Sequence, residues 1–432
     1  MARSGFIIAA PQSGSGKTTL TLGLLRAITR TGLTIQSAKA GPDFIDPAFH
    51  AAAMGKECIN LDPWAMRPGY LRSLASNDTR MLVVEAMMGL FDGGADGSGS
   101  AADLAILLGL PVVLVVDASK QSHSIAALVH GFCTFRKDIE IAGVILNKVG
   151  SARHETMLRE ALDAQDVPVF GCIMRNDDLA LPERHLGLVM AGEHQDLDRF
   201  LDGAADLIEQ SVDMDLLIEL HQEKPSDHLS NAAALLPPGQ KIAIARDQAF
   251  AFCYPHLMNG WKSHGAELTF FSPLNDEAPT LDCDCVYLPG GYPELHADRL
   301  ASNQNFKNGI GRAAAKGAFV YGECGGYMVL GQGLIDREGK RHEMTGLLPL
   351  VTSFHNRKLS LGYRLAKPLS DLPFTSKTTV LTTHEFHYST IDRTGTANAL
   401  FHAEDARGQD LGLCGMHIGN VAGSYLHVID RR

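Results

Sequence analysis

The sequence of 432 residues contains no apolar run of transmembrane length and no excess of positive charge. A membrane-spanning helix needs about 20 consecutive apolar residues, so no contact with a membrane is expected. The N-terminal stretch does not resemble a signal peptide either. The formal net charge of −11 disfavours nucleic acid as a partner. The net charge does not exclude small anionic ligands, because they need only a local positive site.

The sequence also lacks paired cysteines of the kind that form disulfide frameworks or zinc knuckles. Its eight cysteines are scattered along a long chain, which favours free thiols in a reducing cytoplasm. Cys283 and Cys285 are separated by one residue, which is the wrong spacing for a zinc knuckle, and no second pair follows. The cysteines therefore predict neither disulfides nor a metal centre.

The first half of the chain alternates short apolar runs with segments of helical length. Chain length alone predicts two or three domains. The runs are rich in Val and Ile and apolar on both faces, which is typical of parallel strands buried between helices. They read "FIIAA", "TIQSAKA", "MLVVEAM", "PVVLVVDAS", "IAGVILNKV" and "VPVFGCI". We therefore predict an α/β domain over residues 1–220 with a mostly parallel sheet.

A second series of strands follows a segment of poor periodicity. Residues 221–240 carry Pro, Ser, Asn and Gly with poor periodicity, and we interpret them as a linker. The strand series beyond them reads "KIAIARD", "ELTFFSP", "DCVYLPGG", "GAFVYGEC" and, at the end, "AGSYLHVI". It predicts a second α/β domain over residues 241–432.

A glycine-rich loop connects the first predicted strand to the first predicted helix. The stretch "AAPQSGSGKTT" resembles a phosphate-binding loop of the pattern G-x-x-x-x-G-K-[ST], with Pro11 in place of the first glycine. The loop predicts a nucleotide site formed by Gly14, Ser15, Gly16, Lys17, Thr18 and Thr19. Lys17 would reach the outer phosphates of ATP and Thr18 would bind magnesium. The alternative is an ordinary Gly-Ser turn that caps a helix.

Charged residues follow the second and third predicted strands. They are Lys39, Asp43 and Asp46 in "KAGPDFIDP", and Glu85 and Asp92 in "VVEAMMGLFDG". The carboxyl ends of parallel strands line one crevice, so these groups should converge on the phosphate loop. A glutamate inside an apolar strand is costly unless it binds a cation or is hydrogen-bonded. We predict that Lys39 contacts ATP, that Asp43 and Glu85 bind Mg²⁺, and that Asp46 and Asp92 bind substrate or a second metal. For Glu85 the alternative is a buried, paired glutamate.

Two polar residues end the predicted strand "IAGVILNKV". Asn147 and Lys148 lie at the same edge of the sheet and could contact the nucleobase of ATP. A solvated strand end is an equally good interpretation of the pair.

A cysteine flanked by glycines occupies a predicted strand-to-helix turn in the second half. In "VYGECGGYMVL" the small neighbours of Cys324 allow the sharp turn that exposes a nucleophile. A nucleophile also needs a base and an oxyanion hole. The amides of Gly291, in "LPGGYPE", and of Gly325 are candidate oxyanion donors. His427, in "GSYLH" at the end of the last apolar strand, is the candidate base. By itself, His427 would be an ordinary strand-end histidine.

These second-half motifs resemble the class I glutamine amidotransferases of the cobyrinic acid synthase type. The resemblance implies a class I glutamine amidotransferase-like α/β fold and hydrolysis of L-glutamine through a thioester on Cys324. Most class I members carry His-x-Glu, whereas here Ile429 stands two residues after the histidine. The cobyrinic-type branch shares that lack, which implies a Cys324–His427 dyad. Glu385 and His387 in "THEFHYS" also match this branch, without an assigned role.

The first half resembles the dethiobiotin synthetase-like synthetases that are fused to such glutaminases. Together with the phosphate loop, the stretches "KAGPDFIDP", "DPWAMR", "VEAMMGLFDG", "GVILNKVG" and "LPERHLGL" resemble the a,c-diamide synthases of corrinoid biosynthesis. That resemblance implies ATP- and Mg²⁺-dependent amidation of the a and c acetate groups of hydrogenobyrinic or cobyrinic acid, through an acyl phosphate. "DPWAMR" favours the cobalt-free substrate. A homodimer is one possible assembly.

Three alternative functions share some of these motifs. Cobyric acid synthase has the same two halves but amidates other carboxylates, and its phosphate loop reads differently. A regulatory or partitioning ATPase with a degenerate glutaminase domain would not need Cys324 and His427. A plain glutaminase-type hydrolase would not need Lys17.

Overall fold

The chain folds into two compact units, seen here in a computed structural model. It describes residues 5–76, 81–176, 183–184, 187–188, 190–193, 196–221 and 233–432. Unit 1 comprises Met1–Trp64, Pro68–Gly93 and Gly97–Ala232, and unit 2 comprises Ala65–Arg67, Gly94–Asp96 and Ala233–Arg432. Most of the predicted linker 221–240, and part of the motif at 181–188, lie outside the described residues. The predicted domain boundaries therefore remain predictions.

Unit 1 is built on a seven-stranded sheet in which every strand pair is parallel. Its strands are β1 (Gly5–Ala9), β2 (Ile35–Ala40), β3 (Ile59–Leu61), β4 (Met81–Glu85), β5 (Val112–Asp117), β6 (Ile141–Val149) and β7 (Val169–Met174). Their order in the sheet is β3-β2-β4-β1-β5-β6-β7. Six of these strands coincide with predicted runs, and the parallel sheet is confirmed. The three-residue edge strand β3 was not predicted, because it is too short to show periodicity.

Helices surround this sheet, as parallel crossovers require. They are α1 (Lys17–Arg30), α2 (Asp46–Met54), α3 (Pro68–Ala75), α4 (Ala101–Leu108), α5 (Ser124–Phe135), α6 (Ala152–Asp163), α7 (Leu197–Ser211) and α8 (Met214–Glu219), with a 3₁₀ turn at Ala191–Glu193. A two-stranded antiparallel ribbon joins β8 (Glu183–Arg184) to β9 (Gly187–Leu188). Helix α1 packs on α7, where Arg26 and Arg30 form ion pairs with Asp202 at 2.8 and 3.0 Å.

Unit 2 contains a six-stranded sheet that carries the predicted cysteine turn. Its strands are β10 (Lys241–Ala245), β11 (Glu267–Phe271), β12 (Cys285–Leu288), β13 (Phe319–Glu323), β22 (Met416–Ile418) and β23 (Val421–Ser424), in the order β11-β10-β12-β13-β23-β22. The helices of this unit are α9 (Pro255–Ser263), α10 (Ala297–Ser302), α11 (Gln304–Ala315) and α12 (Gly325–Leu330), with 3₁₀ turns at Pro273–Asn275 and Pro293–His296. Only the edge pair β22–β23 is antiparallel.

Unit 2 contains two further sheets, which were not predicted. One has the order β15-β14-β16-β19 and the other β21-β20-β17-β18-β24. Their strands are β14 (Gly333–Ile335), β15 (Arg341–Glu343), β16 (Leu350–Ser353), β17 (Ser360–Pro368), β18 (Leu381–His387), β19 (Thr390–Thr394), β20 (Phe401–Asp405), β21 (Asp410–Cys414) and β24 (Leu426–Arg431). The run "AGSYLHVI" is thus not one strand. The chain leaves the six-stranded sheet after Ser424 and enters another sheet at Leu426, so His427 lies near the start of β24.

Among the described residues, no helix is both long and apolar enough to cross a membrane.

Candidate active site

The loop between β1 and α1 has the backbone shape of a phosphate-binding loop. Gly14 and Gly16 have φ values of +78° and +83°, in the left-handed region that favours glycine. Helix α1 begins at Lys17, and the first turn of a helix presents unsatisfied N–H groups that bind anions. Pro11, in place of the usual first glycine, lies before these turns and leaves them intact.

A cavity of about 830 Å³ opens beside this loop, at the carboxyl ends of the unit 1 strands. Its volume is within the range of small-molecule sites. Most of the residues predicted to bind ATP or metal line it, namely Gly14, Gly16, Lys17, Thr18, Thr19, Lys39, Asp43, Asp46, Glu85, Asn147 and Lys148. Ser15 and Asp92 are not among the lining residues.

Glu85 is the centre of the charged network in this cavity. Its side chain is fully buried. It accepts hydrogen bonds from Thr18 Oγ1 at 2.7 Å, Lys39 Nζ at 2.8 Å and His50 Nε2 at 2.7 Å. Burial alone would raise the pKa of Glu85, but the charge of Lys39 and the contact with His50 hold it well below its usual range. Glu85 is therefore a buried, paired carboxylate that also faces the phosphate loop.

The two lysines of the network differ in their surroundings. Burial lowers the pKa of Lys17, against the opposing charge of Glu85, and its Nζ donates to the carbonyl of Met88 at 2.7 Å. Lys39 lies 2.5 Å from Asp46 Oδ2. Burial would lower the pKa of Lys39, but the charges of Asp46 and Glu85 raise it. Lys39 is thus a fixed cation, whereas the hydrogen bond that holds Lys17 among the described residues goes to a neutral carbonyl.

The oxygen atoms of Thr18 and Glu85 fit a magnesium ion. Neighbouring ligands of octahedral Mg²⁺ lie about 3 Å apart, because each metal–oxygen bond is about 2.1 Å. The observed separation of Thr18 Oγ1 and Glu85 Oε1 is 2.7 Å. Burial and the charge of Asp46 raise the pKa of Asp43 to about 7, so a cation beside Asp43 would relieve that repulsion. No group of three His, Cys, Asp or Glu in the described chain forms a metal site by itself, and Mg²⁺ commonly takes its other ligands from phosphate.

Asn147 and Lys148 brace the phosphate loop. Asn147 Nδ2 donates to the carbonyl of Ser15 at 2.9 Å, and Lys148 Nζ donates to the carbonyl of Gly14 at 2.8 Å. Lys148 also pairs with Asp117 at 2.7 Å. Both residues line the cavity, and their visible role is to fix the shape of the loop.

Asp92, predicted to bind substrate or a second metal, closes a turn in this structure. Its Oδ2 accepts the backbone N–H of Gly89 at 2.9 Å. The aspartate thus stabilises the loop whose Met88 carbonyl holds Lys17.

Cys324 occupies a strained turn between β13 and α12. Its φ of +47° and ψ of −104° are rare for a residue with a side chain, and such strain is found where a nucleophile is held at a sharp strand-to-helix turn. Gly326 is required here, because a Cβ atom would overlap the carbonyl oxygen of Leu288. The glycines around Cys324 therefore let the helix pack directly on β12.

Cys324 and His427 meet at Gly290. A Cβ atom added to Gly290 would lie 3.3 Å from Cys324 Cβ and 3.3 Å from His427 Nε2. The predicted oxyanion donors, the amides of Gly291 and Gly325, belong to residues that are also close together. A Cβ atom built on Gly325 would lie 3.0 Å from the amide nitrogen of Gly291. The structure thus brings all four predicted residues of this site together.

The cysteine and the histidine are both buried and both uncharged at rest. Burial raises the pKa of the Cys324 thiol, against a hydrogen bond from the Gly325 amide that lowers it. Burial and the neighbouring His384 lower the pKa of His427 to about 3. The pair therefore needs to exchange a proton during the reaction rather than before it.

Sequence reasoning missed Glu323, the residue that precedes the cysteine. Glu323 is buried at the end of β13, and its Oε2 lies 3.9 Å from His427 Nδ1. The signal was an acidic residue inside the apolar run "FVYGE". It was overlooked because the expected acid follows the histidine in sequence.

Glu385 and His387 form a second polar cluster near the cysteine. Glu385 lies 2.9 Å from Arg364 and 3.0 Å from His387, and the ring of Tyr425 stacks on His387 with a centroid separation of 3.7 Å. Both residues line a cavity of about 370 Å³. The thiol of Cys324 lies 3.9 Å from the carbonyl oxygen of Phe386, between the two.

Two family profiles match the chain. The CobQ/CobB/MinD/ParA nucleotide binding domain matches residues 6–189, and the CobB/CobQ-like glutamine amidotransferase domain matches residues 241–432. The first match contains the phosphate loop, and the second contains Cys324 and His427.

Curated relatives match over almost the whole length of both partners. A hydrogenobyrinate a,c-diamide synthase of Brucella suis biovar 1 is 60% identical over 431 residues, which cover 99% of this chain and 98% of the relative. The enzymes of that name from Rhizobium meliloti and Mesorhizobium japonicum are 56% and 49% identical, over 99% and 100% of this chain and 99% of each relative. Identity of this extent covers both the phosphate loop and the cysteine turn, and the chain therefore belongs to the hydrogenobyrinate a,c-diamide synthase family.

Proposed function

We propose that the protein uses ATP and glutamine to amidate the a and c acetate groups of hydrogenobyrinic acid in cobalamin biosynthesis. The observation that carries this proposal is the 60% identity to a hydrogenobyrinate a,c-diamide synthase across 99% of the chain. The two sites support the proposal. The phosphate-loop cavity of unit 1 suits nucleotide chemistry, and the Cys324–His427 site of unit 2 suits release of ammonia from glutamine.

In unit 1 the substrate carboxylate attacks the γ-phosphoryl group of ATP and forms an acyl phosphate and ADP. Lys17 and Lys39 neutralise charge on the transferred phosphoryl group. Thr18, Asp43 and Glu85 would hold Mg²⁺, which supplies further charge neutralisation at the phosphates. Asp46 keeps Lys39 in place through their contact at 2.5 Å. Ammonia then displaces phosphate and leaves a carboxamide.

In unit 2 the sulfur of Cys324 attacks the side-chain carbonyl carbon of glutamine while His427 accepts the thiol proton. The amides of Gly291 and Gly325 stabilise the oxyanion. His427 returns the proton to the leaving nitrogen, so ammonia departs and a thioester remains. Water then hydrolyses the thioester to glutamate and regenerates the thiol.

The cavity beside Glu385 is the proposed pocket for the amino-acid end of glutamine. Burial would raise the pKa of Glu385, but the contacts with His387 and Arg364 lower it, so Glu385 is ionised at neutral pH. An ionised carboxylate can bind the α-ammonium group. Lys358 lines the same cavity and is suited to the α-carboxylate.

Mass spectrometry of the products tests the proposal. Hydrogenobyrinic and cobyrinic acids are each incubated with enzyme, ATP, Mg²⁺ and glutamine. We expect a diamide from hydrogenobyrinic acid and less product from cobyrinic acid. The reverse preference would identify the cobalt-containing acid as the substrate. Amidation of more than two carboxylates would favour a cobyric acid synthase, and ATP hydrolysis without amidation a regulatory ATPase.

The cellular setting is part of the proposal. A reducing cytoplasm is supported by the eight cysteines, all of which are free thiols. The acidic net charge of −11 supports small molecules rather than nucleic acid as partners. A homodimer remains a prediction.

A further inference from the structure

Glu323, the last residue of β13, is held by hydrogen bonds from β12 and from the strand that carries the histidine. Its Oε2 accepts a hydrogen bond from the Tyr287 hydroxyl at 2.8 Å, and its Oε1 accepts the backbone N–H of Val428 at 3.2 Å. Val428 directly follows His427. The carboxyl group therefore has a fixed place beside the imidazole, set by partners on β12 and β24.

The imidazole of His427 presents its two nitrogens to different groups. The Cε1–Nε2 edge of the ring lies toward Gly290, where a Cβ atom would overlap Cε1 and lie 3.3 Å from Nε2, while Nδ1 lies 3.9 Å from Glu323 Oε2. A base that exchanges a proton through Nε2 must carry a hydrogen on Nδ1, and the group that faces Nδ1 decides whether it does. Glu323 is that facing carboxyl group.

Burial of a carboxyl group at this position disfavours folding. Glu323 is 2% exposed, and burial raises its pKa to about 8, against the lowering effect of the Tyr287 and Val428 hydrogen bonds. No lysine or arginine is among the groups that shift it. His427, whose Nδ1 lies 3.9 Å from Glu323 Oε2, can become a cation during the reaction.

We propose that Glu323 is the positioning carboxylate of the Cys324–His427 pair and replaces the acid of the missing His-x-Glu pattern. This inference rests on the proposed glutaminase function of unit 2. As the thiol proton moves to His427 Nε2 and the sulfur–carbon bond forms, the imidazolium carries its second proton on Nδ1, toward Glu323. In its ionised form, which gains population as the pH rises toward 8, Glu323 stabilises that cation until His427 returns the proton to the leaving nitrogen.

The first test compares Glu323→Gln with a matched control. Glutamine keeps the size of the side chain and can still accept from Val428 N–H, but it cannot be charged. We expect kcat for glutamine hydrolysis to fall about 100-fold, with KM for glutamine unchanged. Asp336→Asn serves as the control, because Asp336 contacts His342 Nε2 at 2.6 Å in another carboxylate–histidine pair of unit 2, and it should leave kcat unchanged. A Glu323→Gln enzyme with wild-type kcat would overturn the proposal.

A second variant and a second readout separate positioning from folding. Tyr287→Phe removes one donor to Glu323 while the ring remains, so kcat should fall in the same direction by a smaller factor. Glu323→Gln should amidate normally with ammonium salts, which bypass unit 2. If kcat falls only because the variant unfolds, its melting temperature and ammonium-dependent amidation fall too, and the proposal is wrong. Failure of the wild-type enzyme to amidate the corrin acid would contradict the proposed function, while the glutaminase comparison would still test Glu323.

Discussion

Replacing Glu323 with glutamine is expected to stabilise the folded protein, by an amount that grows between pH 5 and pH 8. The folded carboxyl group has a pKa of about 8, because it is buried, whereas the ordinary value is 4.5. Between these pH values the folded protein keeps a proton on Glu323 that the unfolded chain has released. Wild-type stability therefore falls as pH rises through this window.

The magnitude follows from the two pKa values. Relative to wild type, Glu323→Gln should gain about 1 kcal/mol at pH 5, about 3 kcal/mol at pH 7 and about 4 kcal/mol at pH 8. For a unit of about 200 residues, 3 kcal/mol corresponds to a rise in melting temperature of about 6–12 °C. The variant is thus expected to be more stable and less active, because removing an unfavourable group from an active site commonly raises stability and lowers activity.

The assay can report unit 2 alone. The chain has two tryptophans, and Trp261 lies edge-on against Tyr287, with ring centroids 5.4 Å apart. In a shared Trp64→Phe background, fluorescence during urea unfolding then follows unit 2. A Glu323→Gln variant that is less stable than its parent at every pH, with a difference independent of pH, would refute the reasoning.

Four further substitutions test the remaining parts of the site. Cys324→Ala should abolish glutamine use while ammonium-dependent amidation stays within about 2-fold of wild type; loss of both activities in a folded variant would contradict the separation of the two reactions. Lys17→Ala should reduce amidation from either nitrogen source by at least about 100-fold, and wild-type rates with ammonium would remove the ATP assignment. Glu85→Gln should destabilise unit 1 by about 3–5 kcal/mol, because Lys39 loses a buried partner, and should raise the Mg²⁺ requirement; unchanged denaturation would contradict this. Glu385→Gln should raise KM for glutamine about 10-fold at constant kcat, whereas a change in kcat alone would argue against α-ammonium binding.

The sequence was sufficient to predict the architecture of unit 1 and the phosphate loop. Strands buried on both faces are long apolar runs, and the turn glycines Gly14 and Gly16 mark the loop between strand and helix. The turn that Asp92 closes could not be predicted from the sequence, since whether an aspartate faces a cavity or closes its own turn depends on the loop conformation.

Unit 2 was harder to predict, for two physical reasons. Its additional strands between Gly333 and Cys414 are mostly short, and they form mainly antiparallel sheets that are partly exposed, so they lack long apolar runs. The run ending in His427 belongs to two sheets, because the chain changes sheets at Tyr425. Glu323 escaped notice because its partner His427 is more than one hundred residues away in sequence, and only the fold brings them together.

Transfer of nitrogen from glutamine to the corrin acid tests the central claim most directly. Wild-type enzyme is incubated with hydrogenobyrinic acid, ATP, Mg²⁺ and glutamine labelled with ¹⁵N at the side-chain amide, and the product is analysed by mass spectrometry. The account predicts a diamide with ¹⁵N in both new carboxamides, and with the Cys324→Ala variant a diamide only when unlabelled ammonium is added. Labelled product from the Cys324→Ala variant, or wild-type glutamine hydrolysis without label in the corrin acid, would contradict it.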